Sequence, residues 1–223
     1  MATRVMPRDA AAETTLKTLQ QLGIEKSDWR KLLDVPAEKL IQAQSGLGRS
    51  VGGPLGMNGG RKGMGGGSSP EGFGPVVDGA VLPRHPFDPE APPISREKPL
   101  IVGYNRDETV FFFNQQRNTE VHSLTEASLQ ERLAKEFAGN AEAVFETYRK
   151  SRPGASPSDL YIAITTARMI GIGAMTIAER KSVQRAAPAY TAQSRATMEI
   201  DADCRIVNDL YPLERKLWER LDP

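Results

Sequence analysis

The chain has 223 residues, with Lys+Arg 29 against Asp+Glu 28 and a formal net charge of +1. A balance that close supplies no overall attraction to nucleic acid, an anionic membrane or an acidic substrate, so neither nucleic acid nor membrane is expected as a partner. One cysteine, Cys204, and two histidines, His85 and His122, exclude an intramolecular disulfide framework, a cysteine-rich cluster and a histidine-rich metal site, and no cofactor or metal is expected. Met1 to Ala10 hold no apolar stretch of signal-peptide length, and the chain reads as cytoplasmic.

Ala12, Leu16, Leu19 and Leu22 recur at helical spacing, which predicts an amphipathic helix from Arg8 to about Gly23. A second helix is expected across Asp28 to Leu33, and Pro36 suits the first turn of a third that runs through Leu40 and Ile41. Residues 1–45 therefore read as a helical segment. Between Gly46 and Gly67 there are eleven glycines in 22 residues, and residues 46–72 read as a flexible loop. No Gly-Lys-Ser/Thr follows the glycines, no Gly-x-Gly-x-x-Gly opens a helix, and no aromatic side chain is interleaved for base stacking. A linker accounts for the segment better than a phosphate cradle.

Residues 73–223 carry the main body. Residues 76–83 read as two short strands around the Asp78-Gly79 turn, followed by a proline-rich crossing as far as Pro99. Leu100-Ile101-Val102-Gly103-Tyr104 is the continuous apolar run of a buried, parallel-type strand, after which Asn105-Arg106-Asp107-Glu108 turns into a helix. Helical spacing returns at Leu129, Leu133 and Phe137 and at Val144, Phe145 and Tyr148. Arg152-Pro153-Gly154 breaks it, and Ser156-Pro157 opens the longest helix. That helix has one charge, Arg168, between Leu160 and Ala178; its threonines and glycines favour burial against a sheet over a membrane span. Residues 196–200 and 204–208 read as an antiparallel hairpin, and Leu213, Leu217, Trp218 and Leu221 as a C-terminal amphipathic helix. The whole reads as an α/β protein.

Glu108 is the first candidate for chemistry, because it follows a predicted buried strand, where open α/β folds keep reactive groups. Spacing alone favours a plainer role: Asn105 as N-cap and Glu108 three positions on form a capping-box pattern. No Gly-x-Ser-x-Gly elbow occurs, and Ser69, Ser156 and Ser158 read as turn or cap residues. His85, in a proline-rich loop, and His122, before a helix start, read as structural, and Cys204 as a small packed side chain.

Phe73-Gly-Pro-Val-Val-Asp-Gly-Ala-Val-Leu-Pro-Arg-His-Pro-Phe-Asp-Pro89 followed by Pro99-Leu-Ile-Val-Gly-Tyr-Asn-Arg-Asp-Glu-Thr-Val-Phe-Phe-Phe113 resembles the type-B carboxylesterases, para-nitrobenzyl-esterase-like enzymes in particular. The likeness continues through Arg152-Pro-Gly-Ala-Ser-Pro157, Ala178-Glu-Arg-Lys181 and the segment from Arg195 to Asp209. It implies part of an α/β-hydrolase fold: helices, a short parallel-type sheet, a C-terminal hairpin and helix. It also implies carboxylic-ester hydrolysis through an acyl-enzyme, with Ser, Glu and His as the triad, and it assigns Glu108 to the triad acid. The sequence departs from the family by holding neither the Gly-Glu-Ser-Ala-Gly elbow nor the glycine-rich oxyanion loop, and no histidine follows His122. It therefore reads as the C-terminal portion of such an enzyme, inactive alone. The expected partners are a small-molecule ester where a complete site forms, and a separate N-terminal half or other protein chain. A non-catalytic pseudoenzyme or interaction module, and a gene remnant, remain open beside the esterase reading.

Overall fold

A computed structural model of the chain describes residues 3–47, 73–184, 195–199 and 205–221. The glycine-rich stretch from residue 48, the hairpin connection with Cys204, and Ser69 lie outside the described residues.

The helices form where apolar spacing and capping chemistry coincide. α1 (Arg8–Gln21) and α2 (Ala37–Gly46, N-capped by Pro36) flank a 3₁₀ helix over Lys26–Asp34 that kinks at Asp28. α1 buries Thr14, Thr18 and Leu19 and leaves Leu16 partly exposed, so its inner face is more polar than the leucine spacing suggests. α3 (Glu108–Gln115) follows the Asn105 turn. α4 (Glu126–Phe137) opens on a capping box in which the Ser128 N–H donates to Thr125 Oγ1 at 3.2 Å and the Thr125 N–H to Ser128 Oγ at 2.9 Å. α5 (Ala141–Ser151) ends before Gly154, whose φ of +83° reverses the chain.

α6 (Pro157–Thr166) is capped reciprocally by Ser156 and Asp159, passes through a π turn at Ala167–Gly171 and continues as α7 (Ile172–Ser182). Among the described residues Pro157–Ser182 is the one helix long and apolar enough to cross a membrane, yet 61% of its apolar window is buried inside the protein. Its cover is helical: Phe113 of α3, Leu129 and Leu133 of α4, Val144 and Tyr148 of α5, and Leu217 and Trp218 from α8 (Pro212–Leu221) join Leu160 and Ile164 in one core. Among the described residues the helix thus packs against helices and not against the expected sheet.

Two predicted strand regions differ. Residues 100–104 make no strand pairing among the described residues; Ile101 is fully exposed and Leu100 is 45% exposed. A strand is stable only where a neighbour satisfies its N–H and C=O groups, and no described segment runs beside this one. Residues 76–83 form no hairpin either. Val76 makes a parallel bridge with Met6, closed by Met6 N–H to the Pro75 carbonyl at 3.1 Å and Val77 N–H to the Met6 carbonyl at 2.9 Å. Asp78 takes the Ala80 and Leu82 N–H groups on Oδ1, both at 2.9 Å, so its carboxylate stabilises a turn. Those backbone donors hold the Asp78 carboxyl below its usual range. The C-terminal hairpin forms as expected: β1 (Ala196–Glu199) pairs antiparallel with β2 (Arg205–Asn208), Ala196 opposite Asn208.

The end of α7 fastens the proline-rich crossing. Arg180 donates to the Phe87 carbonyl and to Asp88 Oδ1, the latter at 3.0 Å; Lys181 donates to the Ser95 carbonyl; Gln184 Nε2 donates to the Ala91 and Pro92 carbonyls at 2.9 and 2.8 Å.

Candidate active site

Glu108 is the first residue of α3 and is half-buried. Both donors that reach it come from Asn105: the backbone N–H at 2.9 Å and Nδ2 at 2.8 Å, each on Oε2. Among the described residues Oε1 accepts no hydrogen bond. The capping-box expectation is therefore met in one direction. The Glu108 carboxylate reaches back to the Asn105 N–H, but the N-cap residue is Asp107, and Asn105 donates to Glu108 instead of capping the helix.

The turn is anchored next door. Thr109 is completely buried; its N–H donates to Thr166 Oγ1 at 3.2 Å, and its hydroxyl lies 2.9 Å from Thr165 Oγ1 and 3.1 Å from Thr166 Oγ1. On the other side the Tyr104 ring rests on Gly171, where a Cβ would lie 3.1 Å from Tyr104 Cζ. Burial pushes the Tyr104 hydroxyl above its ordinary value, with the negative Glu214 carboxylate adding to the effect.

Neither histidine is hydrogen-bonded to Glu108. His85 Nδ1 accepts the Val5 N–H at 3.1 Å, which ties the N-terminal segment to the proline-rich crossing, and His122 Nε2 pairs with Asn114 Oδ1 at 2.8 Å. Ser156 caps α6 and Ser158 Oγ accepts the Leu124 N–H at 3.0 Å, so these two serines have the cap and turn roles read from the sequence. Among the described residues no group of three His, Cys, Asp or Glu side chains converges on a possible metal position. An open groove of about 590 Å³ between α5 and α8, lined by Thr147, Lys150, Leu213 and Lys216 among others, includes none of these candidates.

Two polar clusters escape sequence reasoning. Glu136 accepts the Tyr161 hydroxyl at 2.6 Å and an Arg168 Nη1 proton at 3.1 Å, while the Arg168 guanidinium lies 4.6 Å from the Phe137 ring centre. Burial raises the Glu136 carboxyl against the opposing pull of Tyr161 and Arg168. The signal was Arg168 itself: a lone cation in an apolar helix requires a buried partner. In the second cluster, Glu214 accepts from Ser151 Oγ at 2.5 Å and from Arg152 Nε and Nη2 at 2.7 and 3.2 Å, which joins α8 to the end of α5. Both acids are consumed by these bonds and act as structural ties.

The structural neighbours of the chain are carboxylesterases, which makes its fold part of an α/β-hydrolase. Residues 5–205 match the carboxylesterase family, and the chain belongs to it. It is 29% identical over 150 residues to the para-nitrobenzyl esterase of Bacillus subtilis (strain 168), an alignment that takes in 67% of this chain and 27% of that enzyme. Among solved structures it resembles the Geobacillus stearothermophilus carboxylesterase EST55 at pH 6.2, with a TM-score of 0.54 and 25% identity over 92% of this chain and 38% of that one. The same enzyme at pH 6.8 gives a TM-score of 0.51 at 24% identity, covering 84% and 34%. The chain thus spans between about a quarter and two-fifths of the length of these relatives.

Proposed function

We propose that this chain contributes the acid of a carboxylic-ester hydrolase. Glu108 is the third member of a Ser-Glu-His triad, and the serine and the base come from polypeptide outside these 223 residues that docks beside residues 100–109. In the reaction the serine Oγ attacks the ester carbonyl, the histidine takes its proton, and Glu108 orients and stabilises the imidazolium; the imidazolium gives that proton to the departing alcohol, and water activated by the neutral imidazole then releases the acid from the acyl-enzyme. One observation carries the reading: the Glu108 carboxylate is held by Asn105 through Oε2 alone, which leaves Oε1 to an incoming N–H donor, in the turn after an apolar segment with no pairing of its own. Without a nucleophile and oxyanion donors the acid alone offers little transition-state stabilisation, so residues 1–223 by themselves should not turn over esters.

The test is a chimera. The matched segment of the Bacillus para-nitrobenzyl esterase is replaced by the corresponding segment of this chain, and hydrolysis of para-nitrophenyl acetate is compared with and without Glu108→Gln. Loss of kcat on the order of 10⁴-fold is expected, the scale of removing a triad acid. Equal turnover by the two proteins would overturn the assignment. The full exposure of Ile101 favours a second reading, an association module without catalysis. An inactive chimera that still folds, together with partner binding by the free chain, would select it.

A further inference from the structure

We infer that helix Pro157–Ser182 is a positioning platform for the Glu108 carboxylate, with Thr166 and Gly171 as its two positioning residues. The inference rests on the reading of Glu108 as the triad acid and concerns how that carboxylate is held.

Residues 104–109, which carry Glu108, touch this helix at both ends. At the near end the partly exposed Tyr104 ring packs closely on Gly171: a Cβ on Gly171 would lie 3.1 Å from Cζ, 3.2 Å from Oη and 3.4 Å from Cε2, so the ring would have to shift. At the far end the hydrogen-bond inventory of three threonines closes on itself. The Thr165 hydroxyl donates to the Tyr161 carbonyl at 2.8 Å, so Thr165 Oγ1 is an acceptor for the Thr109 hydroxyl at 2.9 Å. Thr166 Oγ1 accepts the Thr109 N–H at 3.2 Å and directs its own proton to Thr109 Oγ1 at 3.1 Å. The 3.3 Å approach of Thr109 Oγ1 to the Ile162 carbonyl is the longer alternative for the same proton. The residue beside Glu108 is thereby fixed in a dry site through its N–H and its hydroxyl together.

The π turn at Ala167–Gly171 explains why one helix serves both ends. Five residues of α-helix would place Gly171 about 140° around the axis from Thr166, nearly on the opposite face. An i→i+5 turn advances each residue by a smaller angle than an α-helix does, which brings Gly171 round toward the face that carries Thr166. The two seats then face the same side. Such precision suits a group that must meet an imidazole within hydrogen-bond reach, since small displacements of catalytic groups cost large factors in rate.

The test uses the isotope-labelled chain and needs no turnover. Protonating Glu108 should move the Asn105 backbone amide resonance, because that N–H is bonded to Oε2. Thr166→Val should lower the equilibrium constant for the held turn about fivefold, the factor that follows loss of one typical net hydrogen bond, and so reduce this linked movement. Thr166→Ser, which restores the hydroxyl, should restore the movement. Thr176→Val removes a comparable hydroxyl bonded to the Ile172 carbonyl on the same helix, and should leave the movement unchanged. Full linkage in Thr166→Val, or equal loss in Thr176→Val, would overturn the proposal. If Thr166→Val fails to fold, Gly171→Ala displaces the Tyr104 ring and is held to the same criterion. Because no arm measures hydrolysis, failure here is distinct from failure of Glu108→Gln in the chimera.

Discussion

Arg152→Met strands a buried charge. The Glu214 side chain is 5% exposed and that of Arg152 20%; two guanidinium protons and the Ser151 hydroxyl complete the carboxylate's coordination. Methionine keeps much of the stem volume but leaves Glu214 with the hydroxyl alone in a dry setting, and it also removes the guanidinium from its 4.1 Å stack on Tyr211. Breaking one side of a buried pair costs about 3–5 kcal/mol. The residual exposure of Arg152 places this case near the lower end, about 3 kcal/mol. For a chain of this length each kcal/mol moves Tm by about 2–4 °C, so the expected fall is about 6–12 °C. Urea unfolding read by near-ultraviolet dichroism suits the measurement, because Trp218 donates to the Tyr148 hydroxyl at 2.8 Å within the same core. The double variant Arg152→Met/Glu214→Leu should recover most of the loss, since an apolar pair carries no stranded charge. Arg152→Met within about 0.5 kcal/mol of the parent, or strict additivity in the double variant, would refute the argument.

Glu136 gives a pH signature. Burial raises its folded-state carboxyl above the ordinary 4.5, so its contribution to stability is complete below 4.5 and is lost as pH climbs through the raised folded value. Glu136→Gln cannot ionise; the stability of the parent relative to this variant should fall between acid and neutral pH, and a constant difference in urea midpoints would contradict the raised value. Arg180→Ala should loosen the crossing it holds through Phe87 and Asp88. Thermolysin should nick residues 84–96 about fivefold faster, with Arg180→Lys between the two, and an unchanged rate would show that Lys181 and Gln184 suffice.

The helices were legible because their information is local. The Leu129–Leu133 spacing, the Ser156-Pro157 start and the break at Gly154 all lie within a turn or two of the structure they specify. The hairpin strands at Ala196–Glu199 and Arg205–Asn208 were readable for the same reason. Residues 100–104 show the limit. An apolar run reports that burial is wanted, not which body provides it, and here no described strand does. The pairing of Val76 with Met6 across the glycine-rich stretch, and the hydroxyl ring linking Thr109 to residues 56 and 57 positions away, depend on tertiary contact with no periodic trace. Glu108 stood between the two cases. Spacing saw a cap, and the bond to the Asn105 N–H is half of one; its place after an apolar run made it a candidate for chemistry, and the family resemblance proposed which role.

The segment at residues 100–104, unpaired among the described residues, also offers an edge to other copies of the chain. Five consecutive mostly apolar residues with open N–H and C=O groups form a template onto which an identical stretch can hydrogen-bond in register. Such self-pairing is second order in concentration, whereas docking onto a tethered neighbour is first order. The flanks act as gatekeepers: Lys98 and Pro99 close one end of the stretch and the Arg106–Asp107 ion pair guards the other. The five residues that a covering chain would occupy are thus the same five through which copies of this chain could pair.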